Sequence, residues 1–147
     1  MLDKIISAFD TKAELDCIYL DFKKAFDSVP HNELLVKLWQ SGICGSLWGW
    51  FKAYLSTRQQ CVSLSGVSSD LLPVVSGVPQ GSILGPLLFI IYVNDLPSLA
   101  SSADILMFAD DTKCLNQYNT PLDSLHLQCD IDLISNWSNE WNLATLQ

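Results

Sequence analysis

The sequence is short of positive charge. Acidic residues outnumber Lys and Arg by 16 to 8, and the formal net charge is −8. A free-standing nucleic-acid clamp normally presents a basic surface, so this charge counts against one. No Lys or Arg follows Lys113. Any basic surface of the chain must therefore be local.

The sequence also lacks cysteine or histidine spacings that bind metal, and it lacks a membrane-spanning pattern. The five cysteines include no Cys-x-x-Cys pair, and His31 and His126 lie far apart, which excludes a disulfide framework and a zinc site. We predict that the cysteines are reduced core residues of an intracellular protein, cytoplasmic or nuclear. The most apolar stretch, 83–93, is about half as long as a membrane-spanning helix. It predicts a buried core helix and no membrane partner.

The 147 residues, 49% of them hydrophobic, suffice for one compact domain. A weak amphipathic start is followed by a short apolar strand that ends at Asp21. Two helices, a hairpin of strands 60–64 and 71–75, and a long covering helix over 121–141 are predicted next. The apolar stripe predicted for that last helix comprises Leu122, Leu125, Cys129, Leu133 and Trp137.

Two adjacent carboxylates interrupt the apolar run that begins at Ile105. The pattern predicts a β-hairpin whose tip is Asp110-Asp111, with the return strand starting at Thr112. Neighbouring carboxylates repel each other unless a cation lies between them, and Mg²⁺ prefers such oxygen ligands. The alternative is an ordinary hydrophilic turn, because Asp is common in turns.

A glycine-rich segment, 76–86, comes immediately before the apolar helix. Its three glycines would let the backbone approach a ligand closely, and the helix that follows would present free N–H groups to an anion. The alternative is a loop with ordinary glycine and proline punctuation.

The carboxylates become more informative if the strand that ends at Asp21 pairs beside the hairpin. Asp21, Asp110 and Asp111 would then meet at one edge of a sheet, where three ionised groups need metal. Two bridged divalent ions can activate an attacking hydroxyl and stabilise a leaving pyrophosphate. This arrangement predicts nucleotidyl transfer.

Four segments in this order resemble the palm motifs of reverse transcriptases from non-LTR (LINE-like) retrotransposons. They are 20–27 (LDFKKAFD), 76–89 (SGVPQGSILGPLLF), 92–97 (YVNDLP) and 108–112 (FADDT). The resemblance extends from about residue 15 to residue 141. It implies an α+β polymerase palm, an antiparallel sheet backed by helices with a ferredoxin-like core, here truncated.

The resemblance also implies roles for particular residues. Asp21, Asp110 and Asp111 match catalytic and metal-binding positions for two Mg²⁺ ions, with Mn²⁺ as a substitute. Phe26 matches the aromatic ring that excludes a ribose 2′-hydroxyl. The other substrate-binding positions implied by the motifs are Phe22, Pro79, Gln80 and Gly81. The role of Arg58, in a stretch similar to the family's Tyr-Leu-x-x-Arg-x-Gln run, stays open.

The implied function is RNA-directed DNA synthesis, the addition of dNTPs to a DNA primer on an RNA template. We expect residues 1–14 to be a helical remnant and 15–147 a partial palm without fingers, C-terminal palm or thumb, weak or inactive alone. The alternative is a non-catalytic remnant that acts as an interaction module and self-associates through exposed apolar surface. Phe26 and the loop 79–81 count against a third possibility, an RNA-directed RNA polymerase.

Overall fold

The computed structural model describes residues 2–145 and contains six α-helices and seven strands in that range. In chain order the elements are α1 (Leu2–Thr11), β1 (Glu14–Leu20), α2 (Ala25–Ser28), α3 (His31–Gln40), α4 (Gly45–Ser56), β2 (Gln59–Gln60), β3 (Ser63–Leu64), β4 (Val67–Ser68), β5 (Leu72–Pro73), α5 (Leu84–Val93), a 3₁₀ turn (Leu96–Leu99), β6 (Asp104–Phe108), β7 (Asp111–Tyr118) and α6 (Pro121–Glu140). The α+β prediction is confirmed.

These elements form two compact units. The first unit combines both ends of the chain, Met1–Lys24 and Val93–Gln147, and the second is Ala25–Tyr92. The second unit contains three acidic and three basic residues, so the whole net charge of −8 belongs to the first. The predicted boundary between 14 and 15 stays a prediction, and Met1, Leu146 and Gln147 lie outside the described residues.

A three-stranded antiparallel sheet forms the centre of the first unit, in the order β1-β7-β6. Its strands are rich in Ile, Leu, Tyr and Phe, which favour a half-buried pleated surface. Helix α6 packs against β7 and buries Leu127, Ile134 and Trp137. Because β1 pairs with β7, the strand that leads to Asp21 lies beside the hairpin, which is the condition on which the predicted meeting of the three carboxylates depends.

The buried face of α6 differs from the predicted stripe. Trp137 is buried as expected, but Leu122, Leu125 and Leu133 are 56%, 62% and 45% exposed, and Cys129 is also exposed. The face that is buried includes Asp130, which is 1% exposed. The spacing of the apolar residues alone predicts the wrong buried face of α6, because the face that is actually buried includes the carboxylate of Asp130.

The second unit contains the helix pair α3 and α4, helix α5 and a short β-ribbon. The helix pair buries Leu34, Leu38 and Leu55, each fully. In the ribbon, β2 pairs with β5 and β3 pairs with β4, so the predicted hairpin exists with shorter strands. Its turn is Ser65-Gly66, whose φ values of 51° and 82° fit a two-residue type I′ connection.

The cysteines and the apolar helix differ in part from expectation. All five cysteines are free, but only Cys114 is buried, so the prediction that they are core residues is wrong for the other four. Helix α5 buries Leu88, Phe89 and Tyr92, whereas Ile90 is 53% exposed. Over residues 2–145, no helix has the length and apolarity needed to cross a membrane.

Candidate functional site

The hairpin that carries the acidic pair turns one residue earlier than predicted. Strands β6 and β7 pair as far as Phe108 with Asp111, so the two-residue turn is Ala109-Asp110 and Asp111 already belongs to β7. Ala109 has a φ of 54°, a left-handed conformation that costs energy for any residue other than glycine. The acidic pair therefore spans the end of the turn and the first residue of the strand.

The sheet register brings Asp21 to the same edge. The ladder between β1 and β7 ends at the pair Leu20 and Thr112, so residues 21 and 111 are the next positions in register. Asp21 and Asp111 are exposed, and Asp110 is half-buried. Within the described part of the chain, no hydrogen bond or ion pair engages these three carboxylates.

The three carboxylates do not by themselves form a complete metal-binding site in the described residues. Among residues 2–145 there is no group of three or more His, Cys, Asp or Glu side chains close enough to hold a metal ion. Mg²⁺ is usually held by one or two carboxylates, with water and substrate phosphate oxygens completing its octahedron. The donor chemistry and the common edge fit such an ion, whereas an all-protein cage is not present in the described residues.

Two further side chains of β7 lie next to the acidic pair. The ammonium of Lys113 lies 4.9 Å from the centre of the Tyr19 ring, a cation–π contact between opposed residues of β7 and β1. Thr112 is 1% exposed, and its Oγ1 has no hydrogen-bond partner in the described residues. This edge of the sheet thus contains a fixed cation and an unsatisfied buried hydroxyl.

Asp130 of α6 fixes the chain just before β6. Its carboxylate accepts backbone hydrogen bonds from Ser101, Ser102 and Ala103 at 3.0, 2.9 and 2.7 Å. Burial would raise the pKa of this carboxyl, but the backbone N–H groups outweigh burial and hold the pKa below its usual value. The ionised carboxylate therefore anchors the entry to the hairpin.

A second contact from α6 holds the other end of the same connection. The indole Nε1 of Trp137 donates to Oδ2 of Asp95 at 3.2 Å. Asp95 lies in the motif segment 92–97, immediately before the 3₁₀ turn. Helix α6 is therefore hydrogen-bonded to both ends of the connection that leads to β6, through Trp137 at one end and Asp130 at the other.

In the second unit, the glycine-rich segment is hydrogen-bonded to α2 and the chain that follows it. The amides of Gly77 and Val78 donate to Val29 O and Phe26 O, both at 2.7 Å. Gly77 has a φ of 86°, and a Cβ on it would lie 2.8 Å from backbone atoms of Asp27. The close approach of Gly77 to the backbone of Asp27 requires glycine here, whereas the predicted approach of this segment to a ligand stays a prediction.

The predicted nucleotide-contacting loop is ordered by its own side chains. Gln80 donates from Nε2 to Oδ1 of Asp27 at 2.8 Å. Ser82 accepts a hydrogen bond from the backbone amide of Gly85 at 2.9 Å and donates to Pro79 O at 2.7 Å. One of the helix N–H groups expected to be free for an anion is thus already bonded to Ser82.

The predicted site residues fall into both units. Asp21, Phe22, Asp110 and Asp111 belong to the first unit, and Phe26, Pro79, Gln80 and Gly81 belong to the second. Phe26 is half-buried and stacks on Phe89, with ring centres 4.5 Å apart. Phe22 is 2% exposed, and its ring centre lies 6.4 Å from that of Trp137. The predicted substrate-binding roles stay predictions for all five residues concerned, which are Phe22, Phe26, Pro79, Gln80 and Gly81.

The sequence did not reveal Asp130 or Trp137 as residues that position the hairpin. The only signal was an acidic residue inside an otherwise amphipathic helix, which usually marks a solvated face.

Arg58, whose role the sequence left open, is half-buried, and its Nη1 has no hydrogen-bond partner in the described residues. A buried donor without a partner costs folding free energy, and the described structure offers no explanation for the one on Arg58.

Comparison with known proteins agrees with the motifs. The model of the family described as "Reverse transcriptase (RNA-dependent DNA polymerase)" matches residues 4–146. The chain is 32% identical to the probable RNA-directed DNA polymerase from transposon X-element of Drosophila melanogaster, over 98% of this chain and 16% of that protein. It is also 32% identical to the RNA-directed DNA polymerase from mobile element jockey of the same species, over 94% of this chain and 16% of that protein.

A solved structure shares the fold. The chain resembles telomerase from Candida tropicalis, solved with a fragment of telomeric RNA, with a TM-score of 0.63 and 14% identity over 98% of this chain and 28% of that one. The chain spans about 16% of the length of the curated relatives named above. The motifs, the sheet edge and these matches together establish that the chain belongs to the reverse transcriptase (RNA-dependent DNA polymerase) family.

Proposed function

We propose that this chain contributes the acidic centre of an enzyme that adds dNTPs to a DNA primer on an RNA template. The observation that supports the proposal best is the register of β1 on β7, which ends beside Asp21 and the Ala109-Asp110 turn. Asp21 and Asp110 would hold two divalent ions, Mg²⁺ or Mn²⁺, with Asp111 beside them. Bound ions of this kind lower the pKa of an attacking hydroxyl and stabilise the leaving pyrophosphate.

The remaining roles belong to the protein's own side chains. Phe26, supported by its stack on Phe89, would lie under the sugar and reject a 2′-hydroxyl. Gln80 would contact the incoming nucleotide from a loop that its bond to Asp27 holds in place. Pro79 and Gly81 belong to the same loop, which would contact the incoming nucleotide and the template base. An intracellular location goes with this proposal.

Metal binding tests the proposal on the 147-residue chain. Mn²⁺ binding, followed by electron paramagnetic resonance and by competition with Mg²⁺, should weaken about tenfold or more in Asp110→Asn, because one ligand charge is lost. Asp132→Asn is the matched control, since that exposed carboxylate lies on α6 and accepts a hydrogen bond from Gln128 of the same helix. Equal binding by Asp110→Asn and the control would refute the acidic centre.

Primer extension tests the reaction itself. The 147 residues cover about 16% of the relatives' length, so we expect at most weak extension of a DNA primer on an RNA template by this chain alone. Template-dependent processive extension that Asp110→Asn abolishes would show instead that these residues suffice.

A second candidate is a non-catalytic interaction module. It is favoured by apolar side chains that the described structure leaves exposed, which mark interaction surfaces when they are contiguous. In the β-ribbon these are Val62, Leu64, Val67, Leu71 and Leu72, each more than 60% exposed. A chain that self-associates but gains no stability from Mg²⁺ would fit this candidate and contradict the first.

A further inference from the structure

A cavity of about 310 Å³ lies between α3 and α4 in the second unit, and no predicted site residue lines it. Its volume is at the lower end of the range for small-molecule sites. It is lined by Asn32, Leu35, Val36, Trp39, Trp48 and Lys52. The Trp39 and Trp48 rings meet nearly at right angles, at 88° with centres 6.1 Å apart, and so form two walls of an aromatic corner.

The two walls are held differently. Trp48 is half-buried, and its Nε1 donates to Leu35 O at 2.9 Å, which fixes the ring. Trp39 is 59% exposed, so much of its surface is open to solvent. An exposed tryptophan ring beside a fixed one is costly to leave in water and well suited to stacking a planar group.

The polar groups of the cavity favour an anion at one end. Lys52 Nζ lies 5.5 Å from the centre of the Trp48 ring, so the cation is held against the aromatic wall. Asn32 supplies an amide that can both donate and accept. Glu33, next to Asn32 in the chain, does not line the cavity, and Lys52 is the charged residue that does.

We propose that this cavity binds one nucleotide of a single-stranded nucleic acid. The base stacks in the corner on Trp39, the Asn32 amide hydrogen-bonds the base edge, and Lys52 pairs with the adjacent phosphate. Aromatic rings that stack bases beside a cation that tracks the backbone are the usual elements of single-strand recognition. The inference rests on the proposed function for the kind of polymer, and it uses none of the residues of the acidic edge.

Local charge permits this ligand despite the acidic chain. The acidic excess lies wholly in the other unit, and residues 25–92 carry equal numbers of acidic and basic side chains. An acidic peptide with an aromatic anchor shares part of this chemistry. The Asn32 amide and the Lys52 ammonium fit the nucleotide, because a base edge offers both donors and acceptors and the phosphate beside it carries a negative charge.

Fluorescence anisotropy of a labelled 12-nucleotide oligouridylate tests the site on the 147-residue chain. We expect Trp39→Ala to weaken binding about tenfold, and Lys52→Gln to reduce the slope of log affinity against log salt by about one. Trp50→Ala is the matched aromatic control, since that ring stacks on Tyr54 of α4 outside the cavity. Lys12→Gln is the matched charge control, and circular dichroism verifies that each variant is folded.

An oligomer of abasic sugar-phosphate units keeps the phosphates but lacks the bases, so it distinguishes the contribution of base stacking to affinity from that of charge. Trp39→Ala should bind this oligomer as well as the unchanged protein does, whereas Lys52→Gln should still bind it less well. The proposal is overturned if the chain does not bind oligouridylate, if Trp50→Ala loses as much affinity as Trp39→Ala, or if an acidic aromatic peptide binds the cavity and oligouridylate does not. Loss of metal binding with oligouridylate binding intact would instead count against the acidic centre alone.

Discussion

Ala109 shows how a single residue can carry strain at a functional turn. Its φ of 54° is costly for an L-residue with a side chain, by about 1–2 kcal/mol. Such outliers persist where the surrounding structure over-determines them, and here the paired strands β6 and β7 fix the turn. The next residue is Asp110, so the strained turn sets the direction of a predicted metal ligand.

Replacing Ala109 with glycine should stabilise the protein. Glycine adopts the left-handed conformation without penalty, and after its greater chain entropy in the unfolded state is subtracted we expect a gain of about 0.5 kcal/mol. Urea unfolding measures the change. Ala100→Gly is the control, because Ala100 has a φ of −77° and should only lose stability. A loss for Ala109→Gly equal to that of the control would contradict the strain argument.

The position of the turn shows what residue chemistry does and does not reveal. Two aspartates in succession predict a turn correctly, since Asp tolerates turn conformations. Alanine carries no such signal, so the sequence places the tip at Asp110-Asp111 and misses Ala109. The strand register decides the matter, because Phe108 pairs with Asp111. A register of this kind depends on contacts that lie outside the local sequence.

At the scale of elements, α6 acts as a clamp on the connection before β6. Asp130 is the main contact, and replacing it with asparagine should destabilise the fold by about 2 kcal/mol, because the charge is lost and an NH₂ group replaces one of the two oxygens that accept from three backbone amides. Thermal or urea unfolding measures this. Asp132→Asn, an exposed substitution on the same helix, should change stability by less than about 0.5 kcal/mol.

The same contact makes a pH-dependent contribution with a definite sign. The pKa of Asp130 is lower in the folded protein than its usual value, so the folded state favours the ionised form. Its stabilising effect is therefore complete above the unfolded pKa of about 3.9 and is lost as the pH falls through the lower folded pKa. The stability difference between the unchanged protein and Asp130→Asn should stay constant at neutral pH and shrink below about pH 4. A difference that does not change with pH would contradict this role.

Elements with strong periodicity or boundary signals were predictable. The sequence predicts the long final helix over 121–141, and it is observed at Pro121–Glu140, because Pro121 suits a first turn. Its buried face was not predictable, since Asp130 is in the core only because its carboxylate satisfies backbone amides of a distant loop. The short strands of the β-ribbon were overestimated for a related reason: their apolar residues are exposed, so burial does not enforce longer pairing.

At the scale of the whole molecule, exposed apolar surface predicts self-association. Leu64 and Val67 are opposed residues of the β-ribbon, 77% and 74% exposed, next to unpaired strand edges that can template pairing. Sedimentation velocity of the chain should show dimers or larger species at micromolar concentration. The double variant Leu64→Lys and Val67→Lys should shift them toward monomer, whereas Phe9→Lys, a substitution at a 78% exposed position of α1, should not.

The pairing of β1 with β7 also determines when the sheet can form during translation. Leu20 leaves the ribosome long before its partner Thr112, and at elongation rates of about 5–20 residues per second the delay is roughly 5–20 s. During that interval residues 25–92 emerge in full, whereas β1 has no strand to pair with. The acidic edge therefore assembles only after residues 25–92 have emerged, and any factor that shields a nascent unpaired strand would act on β1.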